Sequence, residues 1–137
     1  DMTLRIGIAG IAGRMGRLLA EEVVAAGATL AGGTLRPGSG KAAPAGATVF
    51  ADAAALFDAS DVVIDFTRAD QAVPHATRAA KTSKGLVLGS SGLSAVQERA
   101  IAEAATRAPI VYAANFAPGV NLVLALARLE EMTGRKL

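Results

Sequence analysis

The 137 residues contain no cysteine, no tryptophan and a single histidine. The first absence excludes disulfides and thiolate metal sites, and one histidine cannot form a metal-binding cluster, so no metal is expected. Aromatic residues make up only 4 % of the chain, so its core has to be built from Ala, Val, Leu and Ile. No apolar run approaches the roughly 18 residues that a membrane-spanning helix needs, and no membrane partner is expected. Fourteen basic residues face twelve acidic ones, for a net charge of +2, and they are dispersed with no Lys/Arg run. Nucleic acid is therefore not an expected partner. Asp1-Met2-Thr3-Leu4-Arg5 leads directly into a strand pattern without a secretory leader, which gives a cytoplasmic expectation. What the chain does have is 52 % hydrophobic residues and the length of one domain. That is enough to bury a core without covalent staples.

Short apolar runs alternate with helical patterns from end to end. Strands are predicted at Leu4 to Ala9, Thr29 to Leu35, Ala47 to Phe50, around Val62-Val63-Ile64, at Leu86 to Leu88 and at Ile110 to Tyr112. Helices are predicted at Arg14 to Ala26, Ala53 to Phe57 with Asp52 as its cap, and up to about Lys81 with Pro74 straining or starting it. Two more follow at Ala95 to Ala108 behind a Ser94/Gln97 capping box, and at Val120 to Met132 before Gly134. In the first helix Met15, Leu18, Leu19, Glu22 and Val23 form the expected inward face. Arg36 to Gly46, rich in Pro, Gly, Ala and Lys, reads as a loop. All-apolar strands alternating with helices specify an α/β class, a doubly wound parallel sheet covered on both faces, Rossmann-like.

The first strand runs into Gly10-Ile11-Ala12-Gly13-Arg14-Met15-Gly16 and then into a helix. That is the setting of a dinucleotide site. Gly10 permits a tight turn, Gly13 removes a Cβ where a pyrophosphate would rest on backbone N–H groups, and Gly16 lets the helix approach the strand. The open helix start offers donors and the positive end of its dipole. The spacing is GxxGxxG rather than GxGxxG, so a glycine turn chosen only for packing is the competing reading. Where a carboxylate would hold a ribose 2′-hydroxyl, the second strand ends in Leu35 and Arg36. An arginine there suits a 2′-phosphate, which predicts NADPH as the preferred cofactor over NADH.

Ligands of open α/β sheets lie beyond the C-terminal strand ends. Three further loops stand there: "DFTRAD" with Asp65, Phe66 and Thr67, "GSSG" from Gly89 to Gly92, and "AANF" from Ala113 to Phe116. Phe66 could wall a flat ring, the GSSG donors could meet an anion or carboxylate, and Asn115 could face a carboxamide. Asp65 and Thr67 could equally be turn and cap residues. His75 shows no acid partner by spacing and reads as a surface or helix-packing histidine. Asp61 and Asp65 read as strand-boundary residues rather than an acid/base pair. No catalytic residue is assigned.

"RIGIAGIAGRMGR", "VVIDFTR", "LVLGSSGL" and "VYAANFAPGVN", in this order, resemble the 4-hydroxy-tetrahydrodipicolinate reductase (dihydrodipicolinate reductase) family from Leu4 to about Leu129. The resemblance implies NAD(P)H-dependent reduction of a cyclic unsaturated imine dicarboxylate in lysine and diaminopimelate biosynthesis. It implies cofactor contacts at Gly10, Ala12, Gly13, Arg14, Met15, Arg36, Phe66, Thr67, Gly89, Ser91, Ala114, Asn115 and Phe116. Ser90, Ser91 and Gly92 would meet the substrate, with Ser90 and Ser91 standing where the family has threonines. The resemblance also implies a second domain that carries the general acid, the substrate carboxylate contacts and most of a tetramer interface. Its His-His-Arg-x-x-Lys-x-Asp-x-x-Ser-Gly-Thr stretch does not occur here, and "EEMTGRKL" does not match the family helix. The expectation is one dinucleotide-binding domain over residues 1–137, the cofactor half of the enzyme, monomeric or weakly dimeric. Two alternatives stay open: a binding module without turnover, and another small Rossmann reductase whose catalytic part lies elsewhere.

Overall fold

A computed structural model describes residues 3–112 and 120–134, with backbone alone at 120–123 and 133. Six parallel strands, β1 (Arg5–Ala9), β2 (Thr29–Thr34), β3 (Val49–Phe50), β4 (Val62–Asp65), β5 (Gly85–Leu88) and β6 (Ile110–Tyr112), form one sheet in the order β3-β2-β1-β4-β5-β6. Helices α1 (Arg14–Ala25), α2 (Ala53–Ala59), α3 (Ala69–Thr82), α4 (Ala95–Ala104) and α5 (Val120–Thr133) connect and follow them. This is the doubly wound α/β sheet that the alternating pattern predicts.

Period-two alternation along the strands divides the core in two. Ile6, Ile8, Val62, Ile64, Val87 and Val111 face α1 and α5, where they meet Leu19, Val23, Leu126 and Leu129. Val63, Leu86 and Leu88 face the other side, against Leu56 and Phe57 of α2, alanines of α3 and Ile101 of α4. Each such aliphatic side chain contributes about 1.5–3 kcal/mol on burial, so a core nearly free of aromatics suffices. The two sides also explain why these strands read as continuous apolar runs.

Helix α1 departs from the expected face. Gly16, Leu19, Ala20 and Val23 are buried, whereas Leu18 is 42 % exposed. A Cβ at Gly16 would lie 2.2 Å from the Gly10 carbonyl oxygen, so that residue must face the strand. Fixing Gly16 inward puts the stripe at i, i+3, i+4 and i+7 and turns Leu18 to solvent. Helix α3 begins five residues before Pro74, which sits in its second turn and removes the N–H that would bond the Asp70 carbonyl. Its inward stripe is Ala72, His75, Ala76 and Ala79. Helix α4 ends at Ala104 rather than Ala108, tightening into a turn in which Arg107 N–H donates to the Ala104 carbonyl. Pro109 follows, and the residue before a proline disfavours helical backbone. The Ser94/Gln97 capping box and the Asp52 cap form as the sequence indicates.

In α5, Ala125, Leu126 and Leu129 are buried, while Leu124 and Met132 are exposed. Among the described residues no helix is long and apolar enough to cross a membrane, and no cluster of three His, Asp or Glu side chains could hold a metal.

Candidate functional site: a cleft at the reversal of strand order

Strand order reverses between β1 and β4, whose last residues, Ala9 and Asp65, pair across the sheet. The loops that leave these two strands therefore diverge, and a crevice opens between them. A cavity of about 350 Å³ occupies it.

One wall is the glycine turn. Gly10 has φ +73°, a left-handed conformation that glycine adopts without penalty. Ile11 N–H donates to the Thr34 carbonyl, fastening the turn to the end of β2. Gly13 is the N-cap of α1; no side chain caps the helix, and its first turn carries no acid. A Cβ on Gly13 would meet only the Gly10 carbonyl oxygen, at an ordinary 3.5 Å. The protein thus has no packing reason of its own for a glycine there, and the freed space belongs to the cavity that Gly10, Ala12, Gly13, Arg14 and Met15 line. Open N–H donors above a side-chain-free step suit a pyrophosphate.

The second wall is the loop after β2. Arg36 lines the cavity, as the sequence anticipates, and so do Ser39 and Lys41. The loop is held to α1 by the Arg17 guanidinium, which donates to the Ala42 carbonyl. Ser39 and Lys41 carried no periodic or motif signal in the sequence; only the folding back of the loop brings them to the cleft. With Arg14 and Arg68, four cationic side chains and no carboxylate line the cavity among the described residues.

The third wall, Phe66, Thr67 and Arg68, follows β4. A buried polar cluster sets its shape. Asp65, with no solvent exposure, accepts the Thr67 N–H at 2.8 Å and the Thr67 hydroxyl at 2.5 Å on Oδ1. Its Oδ2 lies 2.5 Å from His75 Nδ1. Burial alone would raise the carboxyl pKa, but His75 and the two Thr67 donors outweigh it and hold Asp65 below its ordinary value. An ionised carboxylate only accepts, so the Nδ1 of His75 carries the shared proton. His75 is 6 % exposed, and its ring lies 6.1 Å from that of Phe57. The expectation of a histidine without an acid partner is therefore overturned. An Asp at the strand end and a His ten residues later on the inward stripe of α3 are the signal. Only the packing of α3 on the sheet brings the two together, and no sequence period links a strand end to a helix face. Asp61 pairs with Arg5 instead, so Asp61 and Asp65 form no acid/base pair.

Gly89 to Gly92 do not line the cavity but adjoin this wall. A Cβ on Gly89 would fall 1.4 Å from the Phe66 ring, so the missing side chain is the seat of that ring. Gly89 N–H donates to the Asp65 carbonyl, the buried Ser90 hydroxyl donates to the Thr67 carbonyl at 3.3 Å, and Tyr112 Oη donates to the Ser90 carbonyl. Ser91 and Gly92 are exposed. Ala114, Asn115 and Phe116 lie outside the described residues.

The model of one family, dihydrodipicolinate reductase, N-terminus, matches residues 4–116. The chain belongs to that family. The chain is 58 % identical over 127 residues to a 4-hydroxy-tetrahydrodipicolinate reductase of Granulibacter bethesdensis, covering 93 % of this chain and 48 % of the relative. It is 55 % identical over 124 residues to the protein of the same name from Acidiphilium cryptum, covering 90 % and 45 %. The chain spans about half the length of the curated relatives it matches. Among solved structures, a dipicolinate-bound dihydrodipicolinate reductase from Paenisporosarcina sp. TG-14 superposes with a TM-score of 0.73 at 23 % identity, covering 96 % of this chain and 55 % of that one. That likeness shows the fold. The fold also recurs in a WlbA dehydrogenase from Chromobacterium violaceum solved with NADH, with a TM-score of 0.67, 13 % identity, and coverage of 82 % and 35 %.

Proposed function

We propose that the cleft binds a nicotinamide dinucleotide and that this domain is the cofactor half of a 4-hydroxy-tetrahydrodipicolinate reductase of lysine and diaminopimelate biosynthesis, working in the cytoplasm. The observation that carries the reading is Gly13, whose missing Cβ serves nothing in the protein and opens onto uncapped helix donors in the cavity. Gly10, Ala12, Gly13, Arg14 and Met15 would hold the pyrophosphate and adenosine side. Arg36, reinforced by Ser39 and Lys41, would take the 2′-phosphate, which favours NADPH. Phe66, Thr67 and Gly89 would border the nicotinamide, with Ser91, Ala114, Asn115 and Phe116 around it, and Ser90, Ser91 and Gly92 toward the substrate.

A bound nicotinamide supplies the hydride, while the protein supplies orientation and charge. Among the described residues no carboxyl or imidazole group lines the cavity: the Asp65–His75 pair is turned into the core and spent on each other and on Thr67. The proton and the contacts to the substrate carboxylates therefore come from the part of the relatives that these residues do not match. The 137 residues alone bind cofactor without turnover, as a monomer or weak dimer. Calorimetric titration with NADPH and NADH tests the reading. NADPH is expected to bind about tenfold tighter or more, a difference of at least about 1.4 kcal/mol. Tighter NADH binding would overturn the 2′-phosphate assignment, and no uptake of either at millimolar supply would overturn the cleft itself.

A further inference from the structure

Resting on the cofactor reading above, we propose that His75 is a positioning residue for the cofactor, acting through Asp65 on the orientation of Thr67 and the wall it belongs to. Among the described residues, Asp65 Oδ1 takes both Thr67 donors and Oδ2 meets His75 alone. The carboxylate has no exposure, so no water substitutes for a lost partner. With its hydroxyl committed to Asp65, Thr67 has one rotamer, and that rotamer presses its methyl toward Gly10: a Cβ on Gly10 would come 2.9 Å from Thr67 Cγ2. The same residue's carbonyl receives the Ser90 hydroxyl, and the preceding Phe66 ring fills the seat left by Gly89. One imidazole on α3 thus fixes a chain of contacts that reaches the glycine turn on one side and the GSSG loop on the other. Both Thr67 and Gly10 line the cleft, whereas His75 touches none of it.

The test is NADPH titration of the chain, carried out well below the melting temperature of each variant and with circular dichroism confirming the fold. His75→Phe keeps a buried ring and removes the donor; a loss of about tenfold or more in NADPH affinity is expected. His75→Asn places an amide N–H close to the Nδ1 position and is expected to recover most of that loss. Thr67→Val removes the hydroxyl and keeps the shape. The His75→Phe/Thr67→Val double variant should bind little worse than the weaker single variant, because both break one path. His75→Phe combined with Arg36→Ala should multiply the two losses. A role confined to stability would lower the melting temperature of His75→Phe and leave its NADPH affinity at the wild-type level. That result, or multiplying losses for His75 and Thr67, overturns the proposal. Should His75→Phe not fold, His75→Leu, which also removes the donor, takes its place in the same cycle with the same criteria. Failure of the unaltered chain to bind NADPH would instead strike the cofactor reading, and the two failures are distinct.

Discussion

Asp61 and Asp65 stand four residues apart at opposite ends of the same stretch of sheet, and each accepts a backbone N–H and a basic side chain. Asp61 meets the N–H of Arg5 and, through both oxygens, its guanidinium. Asp65 meets Thr67 and His75. The surroundings differ. The Arg5 side chain is 47 % exposed, whereas the His75 and Asp65 side chains are 8 % and 0 % exposed. Where one partner stays wet, the solvent replaces it when it is lost; where neither does, the survivor is left as a buried charge. The pair at the N-terminal end of the sheet therefore ties a strand end, and the pair at the C-terminal end sets the shape of a cleft wall.

The comparison breaks most sharply at His75. His75→Phe should cost about 3–5 kcal/mol of unfolding free energy in urea, the range for leaving one member of a buried pair alone. A loss under about 1 kcal/mol would show that the two ends are equivalent. Next comes Arg36→Ala, which should weaken NADPH by about ten- to hundredfold, the worth of a charge-assisted contact of about 1.5–3 kcal/mol, while leaving NADH within about twofold in the same calorimeter. Equal losses for both cofactors would move the 2′-phosphate away from this loop. Acid then tests the buried carboxylate. Because the folded state lowers the Asp65 pKa, the unfolded chain takes the proton first. Its stabilising contribution is full above the unfolded value near 3.9 and is lost as pH falls through the folded value. The stability difference between the chain and Asp65→Asn should accordingly shrink as urea titrations move from pH 6 to pH 3; a difference that grows would reverse the sign of the shift. Smallest is Arg5→Met, which leaves the Arg5 N–H bond to Asp61 in place and should cost at most about 1 kcal/mol.

Much of this was legible beforehand because strands buried on both faces and capped helices write their own periods. Val62-Val63-Ile64 admitted one reading, and Ser94 with Gln97 formed the box their spacing demands. In the glycine turn, the tight turn at Gly10 and the close helix approach at Gly16 were legible. Lys41 and Ser39 were not, because a loop's return path depends on a long-range tether, here Arg17 to Ala42, that leaves no pattern. The Asp65–His75 pair stayed hidden for another reason. One partner ends a strand and the other lies on a helix face ten residues on, so they meet only through the packing of α3 on the sheet, which no local period records. Leu18 shows the converse: an apolar residue at plausible spacing was turned outward by the demand of a neighbouring glycine.

The contrast between Gly13 and its two companions offers an experimental handle. Gly10 is held by its dihedral angle and Gly16 by a collision with the Gly10 carbonyl, so substitutions there damage the architecture. Gly13, at φ −72°, has room for a methyl group at the lining of the cleft where the dinucleotide is proposed to bind. A single alanine at this step is a route to a properly folded yet blind domain, a matched blank against which every titration of the native chain can be read.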